Sequence, residues 1–185
     1  SGVLAYEYNR RNGREHAYST VEAVQVKGEH HYYNSLKIKK YTARTSIKAI
    51  LDFLFREGAL VEHWIPKAKY EACSYDLRVM GIAGRRCHAI ARLSRSPMTN
   101  LHLGNSRCAV DALDLPAQTW TKIDTLVEQC MARFPRSLYA GLDILLARDG
   151  RDPVVLEANA FGDLLPNLLH NGKGTYLTEI EAILA

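Results

Sequence analysis

The amino-acid sequence predicts an α+β protein in which antiparallel strand pairs are interspersed with single helices. Three observations carry that reading. Runs rich in β-branched and aromatic residues come in pairs bounded by Gly, Pro, Asn and Asp. Separate stretches place apolar residues at helical spacing. A 47% hydrophobic content over 185 residues supplies one well-buried core or two small lobes.

Val21 to Lys27 and Ser35 to Tyr41 read as the first antiparallel pair, with the polar segment Gly28 to Asn34 as a mobile connection. Ser46 then caps a helix whose apolar positions are Ile47, Ile50, Leu51 and Leu54, and Gly58 closes it. Ala59 to Ile65 reads as a short buried strand. Pro66 breaks the chain, and Tyr75 to Met80 with Arg85 to Arg92 forms a second hairpin around Gly81-Ile82-Ala83-Gly84. Leu93 to Pro116 has turn residues and no period, which predicts a long ordered loop of functional use. Thr119 to Phe134 is helical. Tyr139 to Ala147 and Pro153 to Asn159 make a last hairpin, and Thr175 to Leu184 a closing helix.

No stretch approaches the roughly 18 uncharged apolar residues of a membrane helix, so no membrane partner is expected. Cys73, Cys87, Cys108 and Cys130 show no C-x-x-C spacing, which excludes a zinc knuckle or redox pair and suits a reducing cytoplasm. The net charge of +4 is mild, and no RNA-binding signature accompanies it. A homo-oligomer is compatible with the sequence. The chain opens Ser1-Gly2 instead of with methionine, as a processed protein or a piece of a longer one would.

The last hairpin carries the chemistry. A loop centred on Gly150 places Asp143 opposite Glu157 and Gly141 opposite Asn159, so three oxygen-bearing side chains share one face. This register requires an odd number of loop residues. Leu142, Ile144, Leu156 and Ala158 then face the core. Two opposed carboxylates repel unless a cation or a basic side chain lies between them, and magnesium prefers such hard oxygen donors. Asp143, Glu157 and Asn159 are therefore the expected ligands of a divalent cation.

Gly141-Leu142-Asp143 followed by Val154-Val155-Leu156-Glu157-Ala158-Asn159 resembles the closing motif of ATP-grasp ligases, nearest to ribosomal-protein glutamate ligases and glutathione synthetases. Val24-Gln25-Val26-Lys27 looks like that family's strand with the phosphate-binding lysine. Leu60-Val61-Glu62-His63-Trp64-Ile65 is similar to its adenine-and-ribose hinge, and Tyr75-Asp76-Leu77-Arg78-Val79 to the strand bearing its phosphate-contacting arginine. Thr99-Asn100-Leu101-His102-Leu103-Gly104 resembles the loop ahead of the long helix. Together these segments cover about residues 21 to 185.

The resemblance implies a two-lobe ATP-grasp-like fold, with residues 1–65 as a smaller lid-like subdomain and 66–185 as the core subdomain clasping magnesium-ATP. It implies an ATP-dependent carboxylate–amine ligase acting through an acyl phosphate, with magnesium or manganese as the cation, and a small-molecule or peptide carboxylate and an amine as substrates. Arg78 and Asn100 take catalytic positions. Lys27, Lys37, Glu62, Trp64, Ile65, Asp76 and Arg78 would line the nucleotide site, where a lysine acts as a point charge and an arginine as a two-pronged donor to phosphate. Two departures stand out. The lid connection retains one glycine, Gly28, where the family has a glycine-rich loop, and Met98 stands where it often has an arginine, a role Arg92 or Arg95 can take.

Overall fold

The computed structural model describes residues 2–27, 29–99, 106–149, 152–160 and 165–185, and gives an α+β protein with antiparallel sheets and three α-helices. The chain divides into two compact units. The first comprises the residues up to Ile65 with Ser96–Met98, and the second Pro66–Arg95, Thr99 and the chain from Ser106 onward.

In the first unit, strands β1 (Leu4–Asn9), β2 (Arg14–Val26) and β3 (Glu29–Tyr41) form a sheet in sequence order. Strand β1 was not expected from the sequence. Its turn into β2 is built by Asn9 and Asn12, whose side-chain oxygens accept from the amides of Arg11 and Arg14, and by Gly13 at φ 66°. Asx side chains that bond the backbone two residues on are turn formers, so Asn12-Gly13 was the available signal. Where a connection was expected over Gly28 to Asn34, the chain from Glu29 onward is instead strand. Val26 pairs with Glu29, leaving only Lys27 and Gly28 between the strands, and Lys27 takes φ 50°. Helix α1 (Arg44–Arg56) starts before Ser46, at Ala43, without a side-chain cap. It buries Ile47, packs Ile50 and Leu54 with Val21 in a small core, and Tyr32 stacks on Phe53 at 4.6 Å. The buried strand expected over Ala59 to Ile65 does not form: Leu60 is 84% and Val61 73% exposed, with no ladder partner.

The second unit is one antiparallel sheet in the order β7 (Ser106–Ala109), β6 (Arg85–Ser94), β5 (Cys73–Ile82), β8 (Tyr139–Leu145), β9 (Val154–Asn159), with β4 (Lys69–Tyr70) on the end of β5. Strand β7 and a 3-10 turn, Val110–Leu113, fall where a long ordered loop was expected. The β5–β6 turn is tighter than predicted, because Gly81 and Ile82 stay in the strand. Ala83 and Gly84 turn alone, both at positive φ, as a two-residue hairpin of the right twist demands. Helix α2 (Ala117–Ala132) lays Ile123, Val127 and Met131 over Leu77, Val79, Leu142 and Ile144, which share one sheet face. Arg86 fixes α2 by pairing with Asp124 and lying 4.6 Å from the Trp120 ring centre. Helix α3 (Thr175–Leu184) closes the chain.

Two β-bulges set which residues reach the opposite face. In β6, Cys87 and His88 oppose Met80 alone, which shifts the pairing so that Asp76 faces Arg92. In β9, Leu156 is the extra residue: Leu145 pairs with Val154 and Ile144 with Val155, but Asp143 with Glu157 and Gly141 with Asn159. The loop therefore holds an even number of residues, 146–153, contrary to expectation, and the bulge restores the carboxylate pairing. Leu156, expected in the core, is 40% exposed as a result.

Gly81 is where α2 comes closest. A Cβ there would stand 3.1 Å from Met131 Cγ and Sδ and 3.2 Å from Val127 Cγ1. Gly81→Val is therefore expected to overpack this contact and cost about 1–3 kcal/mol, read as a lower urea midpoint with an unchanged slope.

Candidate functional site

The face of the second-unit sheet turned away from α2 carries charge where an apolar layer would ordinarily sit. Asp76 and Arg78 alternate along β5, Arg92 lies on β6, Asp143 on β8, and Glu157 and Asn159 on β9. Directly opposed pairs follow from the register: Asp76 with Arg92, Arg78 with Asp143, Asp143 with Glu157.

Asp76 is the best buried of these, at 1% exposure. Its Oδ1 accepts from Arg92 Nε at 2.8 Å and its Oδ2 from Lys67 Nζ at 2.8 Å. Lys67 Nζ also donates to Thr99 Oγ1 at 2.6 Å, and the Thr99 hydroxyl donates to Asp76. Lys67 is held in place by its backbone. Ala68 N bonds Leu146 O and Arg148 N bonds Pro66 O, which pins the segment to the chain leaving β8. The second end of Arg92 reaches Asp143, Nη2 to Oδ2 at 2.9 Å, and Arg78 Nε approaches Asp143 Oδ1 to 2.8 Å.

Electrostatics divide the two carboxylates. Burial alone would raise Asp76, but Lys67 and Arg92 outweigh it and hold the group below the usual carboxylate range. Burial raises Asp143 above that range, and Arg92 and Arg78 oppose the rise without cancelling it. Burial likewise works against the charge on Arg92, and Asp76 and Asp143 more than restore it. Lys67, Arg78 and Arg92 set three positive charges against Asp76 and Asp143 in the buried network and Glu157 opposite Asp143, so charge on the face is balanced. Two of its atoms are buried without a hydrogen-bond partner: Arg78 Nη1 and Asp143 Oδ1. The 2.8 Å approach of Arg78 Nε to Asp143 Oδ1 is an ion pair without hydrogen-bond alignment.

Of the residues singled out from the sequence, Asp76, Arg78, Asp143, Glu157 and Asn159 share this face. Glu157 is exposed and makes no ion pair among the described residues. Lys27, Lys37, Glu62, Trp64 and Ile65 belong to the first unit: Lys27 is exposed at the β2–β3 turn, Lys37 exposed on β3, and Glu62 and Trp64 exposed beyond α1. Asn100 and His102 lie outside the described residues. His88, at 1% exposure, packs under α3 with Nε2 2.9 Å from Lys173 O. Lys67 and Thr99 were missed by sequence reasoning, and Arg92 was named only as a substitute. Without the β6 bulge a two-residue hairpin would put Ala91 opposite Asp76, so no periodicity pointed to Arg92.

Among the described residues no group of three or more His, Cys, Asp or Glu side chains forms a ready-made metal cage. The donor set of Asp143, Glu157 and Asn159 does fit a hard cation that draws its remaining ligands from water and phosphate, as magnesium does. Asp143 Oδ1, ion-paired to Arg78 but without a hydrogen bond, supports that fit. No protein-family model matches the chain, and no curated protein matches its sequence.

Asp76→Asn keeps shape but leaves Lys67 buried without its counter-charge and Arg92 with Asp143 alone, an expected loss of about 3–5 kcal/mol at pH 7. Because folding depresses the Asp76 pKa, its contribution is complete above the unfolded value of about 3.9 and is lost as pH falls through the folded value. Urea denaturation of both proteins should thus show a wide gap at pH 7 that narrows steadily below pH 4.

Proposed function

We propose that the chain is an ATP- and magnesium-dependent carboxylate–amine ligase of the ATP-grasp type, whose second unit receives the phosphate end of the nucleotide on its charged sheet face. The observation that carries this reading is the pair of buried atoms without a hydrogen bond, Arg78 Nη1 and Asp143 Oδ1, beside the exposed Glu157. A buried guanidinium N–H without an acceptor is costly, and a phosphate oxygen would satisfy it with a charge-assisted bond.

In the proposed reaction the terminal phosphoryl group of ATP passes to an oxygen of the substrate carboxylate, giving an acyl phosphate and ADP. The amine nitrogen then attacks the acyl carbon, phosphate leaves with the bonding electrons, and the nitrogen loses a proton to form an amide or peptide bond. When bound, magnesium, or manganese in its place, would be held by Asp143, Glu157 and Asn159 and would offset charge on the transferring group. Arg78 would grip the phosphates, and the resemblance would assign a catalytic part to Asn100 and phosphate contacts to Lys27 and Lys37. Glu62 would accept from ribose hydroxyls, and Trp64 and Ile65 would flank the adenine. Asp76 and Lys67 hold Arg92, and through it Asp143, in position.

A second reading, nucleotide binding without turnover, is favoured by the two-residue β2–β3 turn, which offers few backbone amides to close over phosphates. ADP release under single-turnover conditions separates the two.

Glu157→Gln retains shape and removes a charge, so ATP affinity should lose most of its magnesium dependence while adenosine affinity stays the same. Lys27→Ala should weaken ATP with magnesium present or absent, again leaving adenosine untouched. Calorimetric ATP titrations of both variants and wild type, with and without magnesium, give the comparison; full magnesium dependence in Glu157→Gln would remove Glu157 from the site.

A further inference from the structure

Resting on that reading, we propose that Arg78 and Arg92 act as internal counter-ions that close the cation site until a phosphate arrives, so that the cation alone binds weakly and binds well only together with nucleotide. The two guanidiniums are not equivalent. Arg92 is anchored at both ends, Nε on Asp76 at 2.8 Å and Nη2 on Asp143 at 2.9 Å, and is 6% exposed. Arg78 has Asp143 as its one ion-pair partner among the described residues, through Nε at 2.8 Å, and its Nη1 is unpartnered. Arg92 is therefore the fixed member of the lock and Arg78 the exchangeable one.

The physics follows from charge. A divalent cation approaching Asp143 meets a carboxylate whose two oxygens each already face a guanidinium within 2.9 Å. Attraction to the carboxylate is offset by repulsion from both arginines, and only the exposed Glu157 offers uncompensated negative charge. A phosphate changes the balance. Its oxygens supply the acceptor that Arg78 Nη1 lacks, draw the guanidinium away from Asp143 Oδ1, and add negative charge next to the cation. Phosphate and cation thus each improve the other's binding, and the coupling is reciprocal by linkage.

Mn²⁺ serves as the probe, followed by water-proton relaxation, which distinguishes protein-bound Mn²⁺ from the free and nucleotide-bound ion. Wild type without nucleotide should bind Mn²⁺ weakly. Arg78→Gln, which removes the exchangeable charge, should bind Mn²⁺ alone tighter by about tenfold or more, within the usual range of coupling between linked sites. Arg78→Lys keeps a positive charge near Asp143 and should stay weak. Adding Asp143→Asn to Arg78→Gln should abolish the gain, and ADP should improve Mn²⁺ binding far more in wild type than in Arg78→Gln. If wild type alone binds Mn²⁺ as tightly as with ADP, and Asp143→Asn weakens that binding, the lock is overturned while the cation site stands; this arm decides even where Arg78→Gln does not fold. If no protein binds Mn²⁺ with or without ADP, the cation site itself falls and the lock falls with it.

Discussion

The second unit depends on keeping one carboxylate ionised inside the protein. Asp76, at 1% exposure, is tolerable only because Lys67 and Arg92 each donate to one of its oxygens and Thr99 adds a third hydrogen bond. An unpaired buried charge costs far more than a folded domain can spare, so each of these partners must be placed by structure that serves no other visible purpose. The pinning of Pro66–Ala68 to Leu146–Arg148 delivers Lys67, and the bulge at Cys87 and His88 delivers Arg92. Once Arg92 is there its other end fixes Asp143, and the register fixes Arg78 and Glu157 on either side. The charged face follows from a single buried anion and its compensation.

That arrangement also explains the sheet's two characters. Leu77, Val79, Leu142 and Ile144 pack under α2 and supply the apolar burial, with α2 close enough at Gly81 to exclude a side chain. The same strands turn alternate residues to the opposite face, where paired buried charges and two atoms without hydrogen bonds are paid for by that core. Preorganised charge of this kind suits binding a phosphate and its cation, because the guanidiniums are oriented before the ligand arrives.

What the sequence revealed, and what it hid, divides along physical lines. Period-2 and period-3.6 patterns were enough for the α+β class and for α2 and α3, whereas the opposition of Asp143 and Glu157 was expected from an odd loop that the structure does not have. Bulges leave no trace in hydrophobic periodicity, so the route to that opposition through Leu156 was invisible, and so was the pairing of Asp76 with Arg92. Ala59 to Ile65 reads as a short buried strand by composition, yet no strand pairs with it and most of it stays exposed. Lys67 and Thr99 are brought to Asp76 by tertiary contacts across 9 and 23 positions, which local pattern cannot encode. Gly28 to Asn34 looked like a loop because it is polar, but β3 is mostly exposed, and a solvated strand needs no apolar alternation.

The central claim is that the face carrying Arg78, Asp143 and Glu157 receives a phosphate and its cation. Anomalous diffraction from crystals of the protein grown with Mn²⁺ and ADP tests it most directly. The account predicts a manganese peak coordinated by Asp143 and Glu157, with an ADP phosphate oxygen hydrogen-bonded to Arg78 Nη1. A nucleotide bound elsewhere, with Arg78 still on Asp143 and no manganese beside it, would contradict the account.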